Sequence, residues 1–115
     1  MAFSQSQGIA MTASAMDPVS VDLLVHGLGV PFVKVGSGDA NNAILLEKVA
    51  TMADVNAVVS TGMSDESDLA RIAGIFDRRP LKNFVILQCT SAYPTPPSAV
   101  NLRVITKAKQ QYPGK

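Results

Sequence analysis

Phe32-Val33-Lys34-Val35-Gly36-Ser37-Gly38-Asp39-Ala40-Asn41-Asn42 is the stretch from which the rest of this 115-residue chain can be read. Val30-Pro31-Phe32-Val33-Lys34-Val35 is β-branched or aromatic at most positions and starts beside a proline, which predicts a strand. Period two puts Phe32, Lys34 and Gly36 on one face and Val33 and Val35 on the other. The chain then turns through Gly36-Ser37-Gly38 and enters a helical run from Ala43 to Ala50. The two glycines let backbone approach a ligand with no Cβ in the way. Asn41 or Asn42 can cap the helix, whose free N–H groups favour an anion. A lysine at a strand end, a serine hydroxyl in the turn and a helix N-terminus describe a cradle for phosphate or carboxylate. At an effective dielectric near 20, a lysine about 4 Å from a unit negative charge gains roughly 4 kcal/mol before desolvation. The plainer alternative is that such turns occur wherever helices wind a sheet, with Lys34 paired to Asp39. Neither the Walker order of glycines and lysine nor a full dinucleotide glycine fingerprint is present.

Outward from this unit, the same grammar repeats. Ile9–Ser14 is a short strand candidate. Asp17 and Pro18 open a helix as N-cap and first helical residue. Val21, Leu24, Val25 and Leu28 give it an apolar stripe, and Gly27 and Gly29 end it. Downstream, Asn56–Ser60 is a strand ending in Thr61-Gly62-Met63. Ser64 can cap the next helix, whose first turn carries Asp65 and Glu66 in keeping with the helix dipole. Leu69, Ile72, Ala73 and Phe76 form its stripe, and Asp77-Arg78-Arg79-Pro80 closes it. Phe84–Gln88 is the most strand-like run. It leads through a stiff proline-rich loop to a last helix over Asn101–Gln111, with Leu102, Val104, Ile105 and Ala108 apolar. Met1–Gly8 has no periodicity and reads as a disordered or remnant segment, leaving 9–115 as one domain.

Strand, polar turn and helix therefore occur four times. That alternation argues a parallel sheet with right-handed crossovers. The strand ends carry Thr12 and Ser14, Ser37, Ser60 and Thr61, and Thr90 and Ser91, where parallel α/β folds place ligands. Read together with Lys34 they form one constellation. Taken singly, each is also an ordinary turn former.

Composition narrows the function classes. Charged residues are only 17% against 47% hydrophobic, which fits strands covered on both faces or a piece of a larger core. A net charge of +1 gives no basic footprint and argues against nucleic acid. No apolar run approaches the ~18 residues of a membrane span. Met1–Met16 is a poor signal peptide, so the expected location is cytoplasmic. The single cysteine, Cys89, forms no internal disulfide and reads as a buried structural thiol rather than a nucleophile. His26 reads as a solvated or capping histidine, not a metal ligand.

With Gln88-Cys89-Thr90-Ser91-Ala92-Tyr93-Pro94 in view, the chain resembles the sialic acid synthase family. Lys34–Asn42, Ser60-Thr61-Gly62-Met63 and Leu87–Pro94 with Val100-Asn101-Leu102-Arg103 carry the resemblance, over roughly Gly8 to Gly114. The spelling of the last motif looks closer to the animal members, which act on N-acetylmannosamine 6-phosphate. The resemblance implies a TIM barrel that condenses phosphoenolpyruvate with N-acetylmannosamine or its 6-phosphate and releases phosphate. It implies that Lys34 and Ser37 hold the phosphate and carboxylate of phosphoenolpyruvate, with Ser60 and Ser91 adding hydrogen bonds. Many bacterial members have asparagine at the Ser91 position. Asp39, where bacterial enzymes usually have glutamate, would act catalytically on the sugar or a proton. Tyr93 would contact the sugar, and Thr12 is a further substrate contact.

The resemblance also implies a divalent metal, manganese or magnesium, in a full-length member. This chain carries no evident ligand set for it. A TIM barrel needs eight strands and about 250 residues. The reading is therefore four consecutive βα units, an incomplete barrel, from the middle of a longer chain and without turnover of its own. Exposed sheet edges invite pairing with another chain, so self-association is expected, as in the family's dimers. The competing readings are a non-catalytic anion-binding half barrel that pairs with another chain, and an unrelated small doubly wound domain that binds a phosphate ester.

Overall fold

Alternate valines become strands where one face can be covered by helices. In the computed structural model, which describes residues 2–79 and 83–115, four strands form one parallel sheet in chain order. They are β1 (Ser14–Ala15), β2 (Phe32–Val35), β3 (Asn56–Ser60) and β4 (Phe84–Leu87). The helices are α1 (Ala2–Ser6), α2 (Pro18–Asp22, continued by a π turn over Leu23–Gly27), α3 (Ala43–Ala50), α4 (Glu66–Asp77) and α5 (Arg103–Gln111).

Parallel register makes paired residues share a face. Val33, Ala57 and Phe84 align, as do Val35, Val59 and Ile86. These side chains meet Val21, Leu24, Leu45, Leu46, Val49, Ile72 and Phe76 in one core. Phe76 of α4 stacks on Phe84 of β4, with ring centroids 4.6 Å apart. Lys34, Val58 and Val85 align on the opposite face, followed by Ser60 and Leu87. Among the described residues no helix core covers that face: Val85 is 47% and Leu87 37% exposed, whereas Val33, Val35 and Val59 are fully buried.

Capping follows the sequence closely. The Asp17 carboxylate accepts from Ser20 N at 2.8 Å, and Ser20 Oγ accepts from Asp17 N at 3.2 Å. Asn42 caps α3 by accepting from Leu45 N at 3.2 Å, while Asn41 accepts from Arg71 at 2.6 Å. The three residues after Gly36 form a 3-10 turn, Ser37–Asp39.

Several expectations are corrected. The first strand is Ser14–Ala15 rather than Ile9–Ser14, because the Thr12 side chain takes the Phe32 carbonyl that a longer ladder would use, leaving Ile9 and Met11 exposed. Ala2–Ser6, expected to lack structure, forms a short helix with no buried residue. Asp65, not Ser64, caps α4, since its carboxylate reaches the amides of both Ser67 and Asp68. Leu28 lies outside the core. The last helix begins at Arg103, after Asn101 takes a left-handed φ of 52°. Pro80, read as the stop of α4, lies outside the described residues; α4 ends at Asp77.

The α4 cap has a pH signature. The Ser67 hydroxyl holds the Asp65 carboxyl below its ordinary value, and the Asp65 backbone N–H does the same for Asp68. A carboxyl lowered in the folded state stabilises fully above the ordinary carboxylate range and stops doing so as pH falls through the folded value. Protection of the Ser67 and Asp68 amides, relative to their intrinsic exchange rates, is therefore expected to fall below about pH 4. Asp65→Asn keeps a capping oxygen and is expected to flatten that response. An unchanged pH profile in this variant would count against the assignment.

Candidate anion site at the strand ends

Lys34 leaves β2 on the uncovered face, two positions before the glycine turn, and its register neighbour on β3 is Val58. Ser60 is the next β3 residue on that face. The Lys34 ammonium donates to Ser60 Oγ at 2.8 Å. Among the described residues Lys34 makes no ion pair, so the simple pairing with Asp39 is not what the fold builds. The Asp39 carboxylate, half-buried in the 3-10 turn, likewise has no side-chain hydrogen bond or ion pair among the described residues.

The turns after β2, β3 and β4 meet at Gly62. Its N–H donates to Ser37 Oγ at 3.0 Å. A methyl group at Gly62 would stand 2.7 Å from Ser91 Oγ, 3.1 Å from Ser37 Oγ and 3.2 Å from Cys89 Cβ. The absence of a side chain is what lets the three turns approach. Ser60 is only 4% exposed. The oxygen of Ser60 receives Lys34 and that of Ser37 receives Gly62, so each hydroxyl keeps its own hydrogen to donate. Lys34 keeps its remaining ammonium hydrogens. The result is a cluster of donors around a cation, complementary to an anion with several acceptor oxygens.

Four of the site residues named from the sequence are therefore gathered at the strand ends: Lys34, Ser37, Ser60 and Ser91. Asp39 follows on the same turn as Ser37. Thr12 is placed elsewhere. Its hydroxyl donates to the carbonyl of Phe32, the first residue of β2, at 2.5 Å. Ser14, not Thr12, is level with Lys34. Tyr93 is 93% exposed in the loop after β4. The free N-terminus of α3 is not the cradle's floor, because the 3-10 turn intervenes and Asn42 already takes the Leu45 amide.

Cys89 is half-buried rather than buried, and lines a groove of about 380 Å³ between the β3 and β4 ends and α5. The sequence missed Gly62 as the meeting point of the turns. Its signals were a small residue at a strand end and a place in the Ser60-Thr61-Gly62-Met63 motif.

Among the described residues no three His, Cys, Asp or Glu side chains converge to hold a metal ion. His26 is exposed on the π turn, its Nε2 3.9 Å from Asp22 Oδ1, remote in sequence from the strand-end cluster. No helix among the described residues is long and apolar enough to cross a membrane.

A sequence model of the NeuB family matches residues 1–115. The N-acetylneuraminate-9-phosphate synthase of Homo sapiens is 46% identical over 112 residues, covering 96% of this chain and 30% of that protein. The Drosophila melanogaster protein of the same name is 38% identical, covering 91% of this chain and 28% of that protein. The chain thus spans under a third of the length of these relatives. The crystal structure of N-acetylneuraminic acid synthetase from Leptospira borgpetersenii, in complex with citrate, superposes with a TM-score of 0.84 at 30% identity. That superposition covers 95% of this chain and 37% of the other.

Proposed function

The chain belongs to the NeuB family, and on that premise we propose that its strand-end cluster is the phosphoenolpyruvate-holding part of a sialic acid synthase. The observation that carries this reading is a half-buried lysine whose hydrogen-bond partner is a hydroxyl and which has no ion-pair partner among the described residues. Burying a cation without a counter-charge is unfavourable, so an incoming anion supplies what the fold leaves out. In the proposed reaction, C3 of phosphoenolpyruvate bonds to the aldehyde carbon of N-acetylmannosamine 6-phosphate or N-acetylmannosamine. Water adds to C2 and inorganic phosphate leaves. Lys34 and Ser37 hold the phosphate and carboxylate, Ser60 and Ser91 donate further hydrogen bonds, and Asp39 serves the sugar or a proton. Tyr93, standing free in its loop, is available to close on the sugar. The four βα units are read as part of an eight-stranded barrel, whose remaining strands would cover the Val85 and Leu87 face. Family membership over the whole chain sets aside the unrelated doubly wound domain.

The test is an amide NMR titration of the chain with phosphoenolpyruvate. Saturable shifts confined to Lys34–Asn42, Ser60–Gly62 and Gln88–Ser91 are expected, with an affinity tighter than about 1 mM and competition by inorganic phosphate. Shifts scattered over the surface, or none at that concentration, would reject the reading. The uncovered sheet face favours one alternative, a non-catalytic half barrel that binds an anion and pairs with another chain. Sustained phosphate release in the presence of the sugar and a divalent metal would reject this alternative, which gives binding without release.

A further inference from the structure

Thr61 holds no ligand in the proposed site, yet both of its donors end on one oxygen. Its backbone N–H reaches the Leu87 carbonyl at 3.1 Å, and its hydroxyl reaches the same carbonyl at 2.8 Å. Leu87 is the last residue of β4 and is paired with Ser60 in the ladder. The backbone bond is what a parallel register supplies. The hydroxyl bond is additional. Thr61 is 4% exposed, among the described residues its buried hydroxyl is satisfied only here, and its β-branch keeps χ1 stiff.

Beyond Leu87 the chain enters the turn that carries Cys89 and Ser91. The Thr90 hydroxyl ties that turn to the Ala99 carbonyl at 3.2 Å on its far side. On its near side the turn is held by Thr61 and meets Gly62, whose N–H is in turn given to Ser37. We propose that Thr61 is a positioning residue: by fixing the Leu87 carbonyl, its hydroxyl sets where Ser91 stands against Gly62 and Ser37. The consequence for phosphoenolpyruvate rests on the proposed anion site; the placement itself does not.

Two readouts on the full chain keep those apart. In the ligand-free protein, a nuclear Overhauser contact between Gly62 Hα and Ser91 Hβ reports the approach of the two turns. Thr61→Val removes only the hydroxyl bond and is expected to lose this contact, while Thr61→Ser retains it. Phosphoenolpyruvate is expected to bind Thr61→Val about 10-fold more weakly, with no further loss when Thr61→Val is added to Ser91→Ala. A valine variant that keeps the contact overturns the proposal, and so does an equal loss of affinity in the Ser91→Ala background. If the contact depends on the hydroxyl but no form binds phosphoenolpyruvate, positioning stands and the anion reading falls. Thr61→Ala carries the same comparison should the valine variant not fold.

Discussion

Lys34→Met is expected to weaken phosphoenolpyruvate binding by at least about 100-fold, or about 2.7 kcal/mol. Methionine keeps a flexible apolar stem of similar length and removes the charge. The attraction between one lysine and one anionic oxygen at about 4 Å is roughly 4 kcal/mol at a dielectric near 20, and desolvation takes back part of it. Stability should move the other way. In the ligand-free protein the ammonium donates to Ser60, which is buried, and makes no ion pair among the described residues. Removing a half-buried cation that lacks a counter-charge relieves a cost, so the melting temperature is expected to hold or rise. Calorimetric titration and thermal melts of the two proteins measure both effects. Opposite signs separate a ligand-holding lysine from a structural one, whose loss would lower the melting temperature and leave binding within a few-fold. Binding within about 3-fold of the parent would remove Lys34 from the site, since a direct charge contact is larger than that.

Much of this was legible in one dimension because the parallel sheet writes itself as alternation. Val33 and Val35 against Lys34 gave the two faces of β2, and the register confirms that split across three strands. Asp17 was readable as a cap, and the α3 cap as one of Asn41 and Asn42, since a short side-chain acceptor before an apolar run has few other uses; the structure chooses Asn42. The use of the Thr12 hydroxyl was not legible for a physical reason. A threonine near a strand looks the same whether its hydroxyl faces a ligand or spends itself on a neighbouring carbonyl, and here it does the latter. Ser64 and Asp65 are both good cappers, and only the geometry shows that Asp65 reaches two amides. Gly62 was invisible as a hub because the crowding around it comes from Ser37, Cys89 and Ser91, residues distant in sequence. Family motifs supplied the roles expected of Ser37 and Ser91; the turns that meet at Gly62 supplied their proximity.

The site also depends on an edge that the sheet itself holds weakly, and Phe76→Ala is expected to show how weakly. β4 is the last strand, its outward side chains Val85 and Leu87 are exposed, and α5 beside it contributes no fully buried residue. Its attachment therefore rests on the β3 ladder, on the partly buried Ile86 and on Phe84, whose ring lies 4.6 Å from that of Phe76 at an interplanar angle of 23°. Phe76 is 1% exposed and reaches across from α4. Truncating a buried phenylalanine costs about 3–5 kcal/mol, through lost transfer energy and the cavity left behind. A small domain has only about 5–15 kcal/mol in total, and a sheet covered on one face sits at the low end of that range. Urea denaturation followed by circular dichroism is expected to show the loss of most of the folded baseline. Leu102→Ala, at a residue 63% exposed, should stay within about 0.5 kcal/mol of the parent. The turn carrying Ser91 begins where β4 ends, so Phe76→Ala should also abolish anion binding although the residue lies on the opposite face of the sheet from Lys34. A Phe76→Ala protein that lost under about 1 kcal/mol and still bound phosphoenolpyruvate would show that β4 is held by something other than this aromatic contact.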